Sequence, residues 1–237
     1  MKGQIVYTPE LLKSKQMAEQ SLKSFKAKKG WSLKLQEGIT RNDLKNLTKG
    51  SKIRNDFNVK FIKNGRLWMM RNDNDPVWET KEACVFNHLY FWKKVVDTNE
   101  TMCFIEHDVI CNSDAKDYKF DEYLILNMSD AFTNKKYPKR MRGYCSPMKN
   151  EYSNLENDSD YPLVYNKSNL WEFSYMVPGT AAYAITPTAA KKMLDTALSI
   201  GIDQSDFILN THNLKVQYIS PSPVSFNETY LSTSWGM

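Results

Sequence analysis

The opening of the chain constrains the fold more than any other stretch. Residues 4–7 read as a short strand, and Thr8-Pro9 supplies an N-cap and a first helical residue. Leu11, Ala18, Leu22 and Phe25 then recur at helical spacing, and Trp31, Leu33 and Leu35 alternate with polar residues up to Gly38. A strand, an amphipathic helix long enough for a crossover, and a second strand predict a parallel βαβ unit. That commits the chain to an α/β sheet flanked by helices.

The remaining patterns extend this sheet. Phe57, Val59 and Phe61 alternate up to Asn64-Gly65, and Leu67 and Met69 resume beyond it, which predicts a β-hairpin insertion over about residues 55–72. A helix from Thr80 carries Val85, Leu89, Trp92 and Val96 on one stripe and delivers the chain to Met102-Cys103-Phe104-Ile105, a buried central strand. Residues 111–170 are rich in Asp, Asn, Lys and Tyr, and only residues 123–126 read as a strand, the rest as long loops. A strand over 180–185 leads into a helix capped by Thr186-Pro187 and stopped by Gly201. A short helix over 205–213 and a strand over 216–219 complete the sheet.

With 237 residues, 41% of them hydrophobic, the chain suits a single domain over 1–237. Its net charge of +5 permits an anionic partner without the excess of a purely electrostatic nucleic-acid binder. No apolar run reaches the roughly 18 residues of a membrane span, and the N-terminus lacks a signal-peptide core. The expectation is a cytoplasmic protein, in the host cytoplasm if it is viral. Cys84, Cys103, Cys111 and Cys145 form no Cys-x-x-Cys pair, so they read as buried thiols and not as a zinc ribbon.

The chemistry concentrates in Phe104-Ile105-Glu106-His107-Asp108, where a buried strand ends in two carboxylates flanking a histidine. In open α/β sheets the ligand crevice lies at the carboxyl ends of strands. Glu106 and Asp108, two apart on an extended backbone, face the same way, which suits one divalent cation, or a cation and a ribose. A nucleotide diphosphate bridged by Mg²⁺ or Mn²⁺ fits that spacing; a solvated acidic turn fits it too.

The preceding helix favours the cation reading by its resemblance. Glu82-Ala83-Cys84-Val85-Phe86-Asn87-His88-Leu89-Tyr90-Phe91-Trp92 resembles the Gly-Glu-x-x-Cys-x-x-Ser-His-x-x-x-Trp stretch of glycosyltransferase family 25, the lipopolysaccharide-biosynthesis type. In that family the helix is followed by a strand ending in Glu-Asp-Asp, here Glu106-His107-Asp108. Pro178-Gly179-Thr180-Ala181-Ala182-Tyr183-Ala184-Ile185-Thr186 is similar to the family's Gly-Thr-x-x-Tyr-x-Ile-Ser, and Asp206-Phe207-Ile208-Leu209 falls at its Pro-Val-Asp and apolar pair. Three departures stand out: His107 for the middle acid, Asn87 for the serine, and no arginine early in the first helix, where Lys13 and Lys15 lie instead.

The resemblance implies a GT-A-like, Rossmann-type mixed sheet with long acceptor-side loops, a nucleotide-sugar donor and a divalent cation, Mn²⁺ or Mg²⁺. Asp108, Glu106, His107 and His212 are the candidate metal residues, and His212 equally suits a helix-end cation. Tyr7, Thr8, Lys15, His88, Glu106, Gly179 and Thr180 are the candidate donor-binding residues. Asp206, then Asp203, is the candidate base for the acceptor hydroxyl, with a helix N-cap as the other role open to each.

Lys135-Lys136-Tyr137-Pro138-Lys139-Arg140-Met141-Arg142-Gly143-Tyr144 interleaves cations with aromatics. Lys136, Lys139, Arg140, Arg142 and Tyr144 would suit phosphates and a stacked base; a solvated basic loop is the other reading. The Lys-, Asn- and Tyr-rich composition resembles that of bacteriophage proteins. The expected acceptor is therefore 5-hydroxymethylcytosine in phage DNA, with a lipopolysaccharide or capsule glycan second. A metal-dependent nuclease built on Glu106 and Asp108, and a non-catalytic DNA- or glycan-binding protein, are the readings of other classes.

Overall fold

The structure is a computed structural model and describes residues 1–47, 57, 59, 76–127, 152–154, 180–203, 205–209, 213–219 and 221–227. β1 (Lys2–Tyr7), α1 (Leu12–Lys26) and β2 (Ser32–Glu37) form the expected parallel βαβ unit, with Lys2 opposite Ser32 and Tyr7 opposite Glu37. α2 (Arg41–Leu47) follows, and α3 (Pro76–Thr98) leads into β3 (Met102–Glu106). β3 returns to the other side of β1, also parallel, pairing Gly3 with Cys103 and Val6 with Glu106.

Beyond β3 come β4 (Val109–Cys111), β5 (Tyr123–Ile125), β6 (Tyr152–Asn154), β7 (Ala182–Ile185), α4 (Pro187–Ser199), α5 (Ser205–Ile208), β8 (Val216–Ile219) and β9 (Val224–Phe226). Among the described residues seven strands form one sheet in the order β2-β1-β3-β7-β5-β8-β6, while β4 and β9 make a separate antiparallel pair. β7 runs antiparallel to both β3 and β5, and β5 is parallel to β8. This is the mixed, helix-flanked sheet that the resemblance implies.

Alternation along the strands divides the core into two layers. Met102, Phe104, Tyr123, Ile125, Tyr183, Ile185, Val216 and Tyr218 share one face with Leu89, Trp92 and Val95 of α3 and Ala190 and Met193 of α4. Cys103, Ile105, Leu124, Ala182 and Ala184 face the other way, toward Ala18 and Phe25 of α1 and Val109 and Val224 of the small β4–β9 pair. Strands buried on both faces explain why Met102-Cys103-Phe104-Ile105 reads as a continuous apolar run.

Several elements differ from the sequence expectation. α1 begins at Leu12 with Leu11 as an uncapped N-cap. Thr8 and Pro9 lie instead in a turn closed by Leu11 N–H to the Thr8 carbonyl, and the Thr8 amide donates to Ser14 Oγ at 2.9 Å. That bond draws Thr8 away from the capping position and leaves Leu11 exposed. α3 starts at Pro76, four residues before Thr80, because proline at a helix start loses no hydrogen bond. Residues 111–170 hold β6 as well as β5, and part of β4; three-residue strands are too short to declare themselves by alternation. The short helix ends at Ile208, not at 213. Of the expected hairpin, Phe57 is helical and packs edge-on against Tyr90 at 4.9 Å; the rest, apart from Val59, lies outside the described residues. The Thr186 cap is as expected, its hydroxyl accepting from the Ala189 amide, and Gly201 sits at φ 123°.

The β1–β3 contact is close enough to forbid a side chain. A Cβ on Gly3 would lie 2.3 Å from both the carbonyl oxygen and Sγ of Cys103. Gly3→Ala is expected to lower stability by about 2 kcal/mol or more in urea unfolding. Adding Cys103→Ala should not restore it, because the carbonyl stays in the way; recovery in the double variant would place the clash on the sulfur alone.

Candidate active site

The chain runs from β1 through α1 to β2 on one side of β1, and β3 lies on the other side. Strand order therefore reverses at β1, and such a reversal opens a crevice beyond the carboxyl ends of the two diverging strands. Tyr7 and Thr8 leave the end of β1 there, Glu106-His107-Asp108 the end of β3, and Glu37 the end of β2. Glu106 N–H donates to the Ala181 carbonyl at 2.7 Å, so Thr180, next to Ala181, is carried to the same rim. Tyr7 Oη donates to Glu37 Oε1 at 3.0 Å; burial first, then that carboxylate, raises the phenol above its ordinary value.

The acidic segment is not the extended strand end that its spacing suggests. β3 stops at Glu106, and His107 and Asp108 form a turn into β4. Glu106 and Asp108 therefore do not share one face of a strand. The cause is β9, which pairs with β4 from Val109 onward, while the Asn227 amide donates to the Asp108 carbonyl at 2.7 Å. His107 and Asp108 are each only 9% exposed. Imidazole Nε2 of His107 and Oδ1 of Asp108 are enclosed and have no hydrogen-bond partner among the described residues.

Burial pushes the Asp108 carboxyl above the usual carboxylate range, against the pull of His107 and its own amide. Burial likewise pulls the His107 imidazole below its ordinary value, opposed by Asp108. Among the described residues no three His, Cys, Asp or Glu side chains converge as a metal-holding group. What the turn offers is two enclosed lone-pair donors, a carboxylate oxygen and an imidazole nitrogen, and both are kinds that divalent transition metals accept.

The sequence pattern of glycosyltransferase family 25, described as an LPS biosynthesis protein, matches residues 12–209. The chain belongs to glycosyltransferase family 25. Among curated proteins, none matches it significantly. The family motifs can now be placed in the fold. His88, Trp92 and Tyr183 form one buried hydrogen-bonded knot: Trp92 Nε1 donates to Tyr183 Oη at 3.0 Å, and His88 Nδ1 lies 2.9 Å from the same oxygen. With Tyr183 Oη accepting from Trp92, its proton can go to Nδ1 of a neutral His88, which puts the imidazole proton on Nε2. The His88 ring stacks on Phe104 of β3 at 4.2 Å.

His88 is 1% exposed. The structure thus places it beneath β3 and not at a surface where it could touch a donor, contrary to the donor-contact expectation. Asn87, which replaces the family serine, clamps the segment after β2 in both directions: Ile39 N–H donates to its Oδ1 at 2.7 Å and its Nδ2 donates to the Ile39 carbonyl at 3.1 Å. Gly38, between Glu37 and Ile39, leaves only 3.0 Å from a would-be Cβ to the Tyr7 carbonyl.

The other expected site residues divide into three groups. Lys15 is exposed on the first turn of α1 and Thr180 is buried at the rim. Asp203 is 1% exposed, and Asp206 lies inside α5, so it is not that helix's cap. Gly179, His212, Lys136, Lys139, Arg140, Arg142 and Tyr144 lie outside the described residues. Glu37 and Asn227 were not singled out from the sequence. Glu37 was findable as the acid closing a strand before Gly38; Asn227 was not, because its strand has three residues. A shallow cleft lined by Met1, Thr101, Asp121, Thr186 and Gln217 opens at the opposite ends of β1 and β3, away from this rim.

Burial lowers the His88 pKa from 6.5 to about 3. Between those values the unfolded chain binds a proton that the folded one does not, so stability is greatest above 6.5 and is lost as pH falls toward 3. The slope is up to about 1.4 kcal/mol per pH unit. Urea unfolding at pH 7, 6, 5 and 4 should show His88→Gln less stable at pH 7 but flatter with pH than the parent. Parallel profiles would mean that His88 is solvated.

Proposed function

We propose that this family 25 protein transfers a sugar from a nucleotide-sugar donor to an acceptor hydroxyl, with the donor diphosphate at the β1/β3 crevice. The observation carrying this reading is the convergence of Tyr7, Thr8, Glu106, Asp108 and Thr180 where strand order reverses. Asp108 and His107 would hold a divalent cation. When bound, such a cation neutralises charge gathering on the departing diphosphate.

Each of the chain's own residues has a chemical task in this reading. Glu106, half-buried at the end of β3, would accept from a ribose or sugar hydroxyl. Tyr7 and the Thr8 turn form the opposite wall. An inverting transfer needs a base for the acceptor proton. Asp206 is the first candidate for that part and Asp203, which is buried, the second.

The acceptor follows the family description first: a lipopolysaccharide-type glycan. Hydroxymethylated DNA is the second reading, favoured by the cations and aromatics between Lys135 and Tyr144. A base turned out of the duplex would bring its hydroxyl to the sugar, and phosphate contacts would offset the cost.

Incubation with nucleotide sugars, Mn²⁺ and either lipopolysaccharide core or hydroxymethylcytosine DNA, followed by mass spectrometry, identifies the acceptor. Transfer to neither, with no release of nucleoside diphosphate, would leave a binding protein. Asp108→Asn is expected to abolish metal-dependent release of nucleoside diphosphate without unfolding the chain. Asp206→Asn should lower turnover about 10²-fold with donor affinity nearly unchanged. If DNA is the acceptor, Lys139, Arg140 and Arg142 replaced together by alanine should flatten the salt dependence of binding by up to about three phosphate contacts. An unchanged slope removes this segment from the interface.

A further inference from the structure

The middle position of the acidic turn is where the chain departs from its family, and it is also where a polar group is left without a partner. His107 and Asp108 are adjacent, both 9% exposed, and His107 Nε2 and Asp108 Oδ1 both lack hydrogen bonds among the described residues. An enclosed polar atom left unpaired costs about 1–3 kcal/mol. Turn residues ordinarily avoid that cost by facing water, but this turn is held from both sides. Glu106 N–H is bound to the Ala181 carbonyl and the Asp108 carbonyl to the Asn227 amide, each at 2.7 Å. The backbone thus keeps two lone-pair donors of different hardness enclosed at the end of β3.

We propose that His107 Nε2 is a direct ligand of the divalent cation beside Asp108 Oδ1, making a mixed nitrogen–oxygen site that favours transition metals over Mg²⁺. This rests on the reading of the turn as a cation site. Among the described residues no third His, Cys, Asp or Glu joins His107 and Asp108 in a metal-holding group. Mg²⁺ demands hard oxygen ligands and gives up water reluctantly. Imidazole affinity rises instead from Mn²⁺ to Co²⁺ in the Irving–Williams order. A family member with an acid at this position would present oxygen alone, so the substitution changes which metal the same turn selects.

The test uses the full chain with Mn²⁺ alone and with Mn²⁺ plus UDP. Pulsed EPR should show ¹⁴N modulation from a coordinated imidazole, retained in His212→Gln and lost in His107→Gln and His107→Asp. Calorimetric titrations should show His107→Asp still binding cations, with its preference for Co²⁺ over Mg²⁺ reduced at least about tenfold. Mn²⁺ binding that disappears in Asp108→Asn, yet shows no nitrogen modulation and no change of preference in His107→Asp, overturns the ligand role and leaves the cation site standing. Loss of the modulation in His212→Gln and not in His107→Gln overturns it as well. Absence of Mn²⁺ binding to the parent, even with UDP, overturns both the inference and the cation reading beneath it. If circular dichroism shows the His107 variants unfolded, the nitrogen signal of the parent compared with His212→Gln decides.

Discussion

The pairing of β3 with the side of β1 that β2 leaves open is the contact on which the rest of the molecule depends. It is tight, because Gly3 lies where any side chain would enter the Cys103 carbonyl and sulfur. It fixes the register that sets Val6 beside Glu106, and so brings the segment after β1 level with the turn after β3. Without it the sheet would have no reversal of order at β1. A crevice at the carboxyl ends needs that reversal, since it is there that the connections diverge to opposite faces.

Beneath this contact, the family motif residues act through packing. Trp92, His88 and Tyr183 come from α3 and β7 and meet at one phenolic oxygen under β3, with Phe104 stacked between strand and helix. Trp92 Nε1, Tyr183 Oη and His88 Nδ1 are joined by hydrogen bonds that the apolar surroundings cannot replace, so the geometry of the knot is specific where a purely apolar core would tolerate rearrangement. The knot reaches the site through β3 itself: Phe104 points inward, and two residues later Glu106 ends the strand at the rim.

The rim shows the opposite economy. Asn87 and the Tyr7–Glu37 bond satisfy the polar groups of the segments after β1 and β2. The His107-Asp108 turn keeps two of its own unsatisfied, although backbone bonds hold it on both sides. Ser21 Oγ in α1 is likewise enclosed without a partner among the described residues; the turn differs in having two such atoms on adjacent residues at the end of β3.

The sequence by itself determined the elements whose signals are local: the βαβ opening, the apolar run of β3, the Thr186-Pro187 cap and the Gly201 stop. Each of these follows from periodicity or from the backbone preference of one or two residues. The Glu-His-Asp segment and the Cys, His and Trp spacing of α3 were also legible, and they pointed to the family that residues 12–209 match. Tertiary structure decided what those residues do. His88 was a donor-contact candidate only through the family resemblance, and its packing against Phe104 and Tyr183 turns it inward. Glu106 and Asp108 looked like neighbours on one strand face, but a three-residue partner strand more than a hundred positions away bends the chain between them. Long-range pairing of so short a segment leaves almost no trace in local sequence, because its stability comes from the partner strand and not from its own residues.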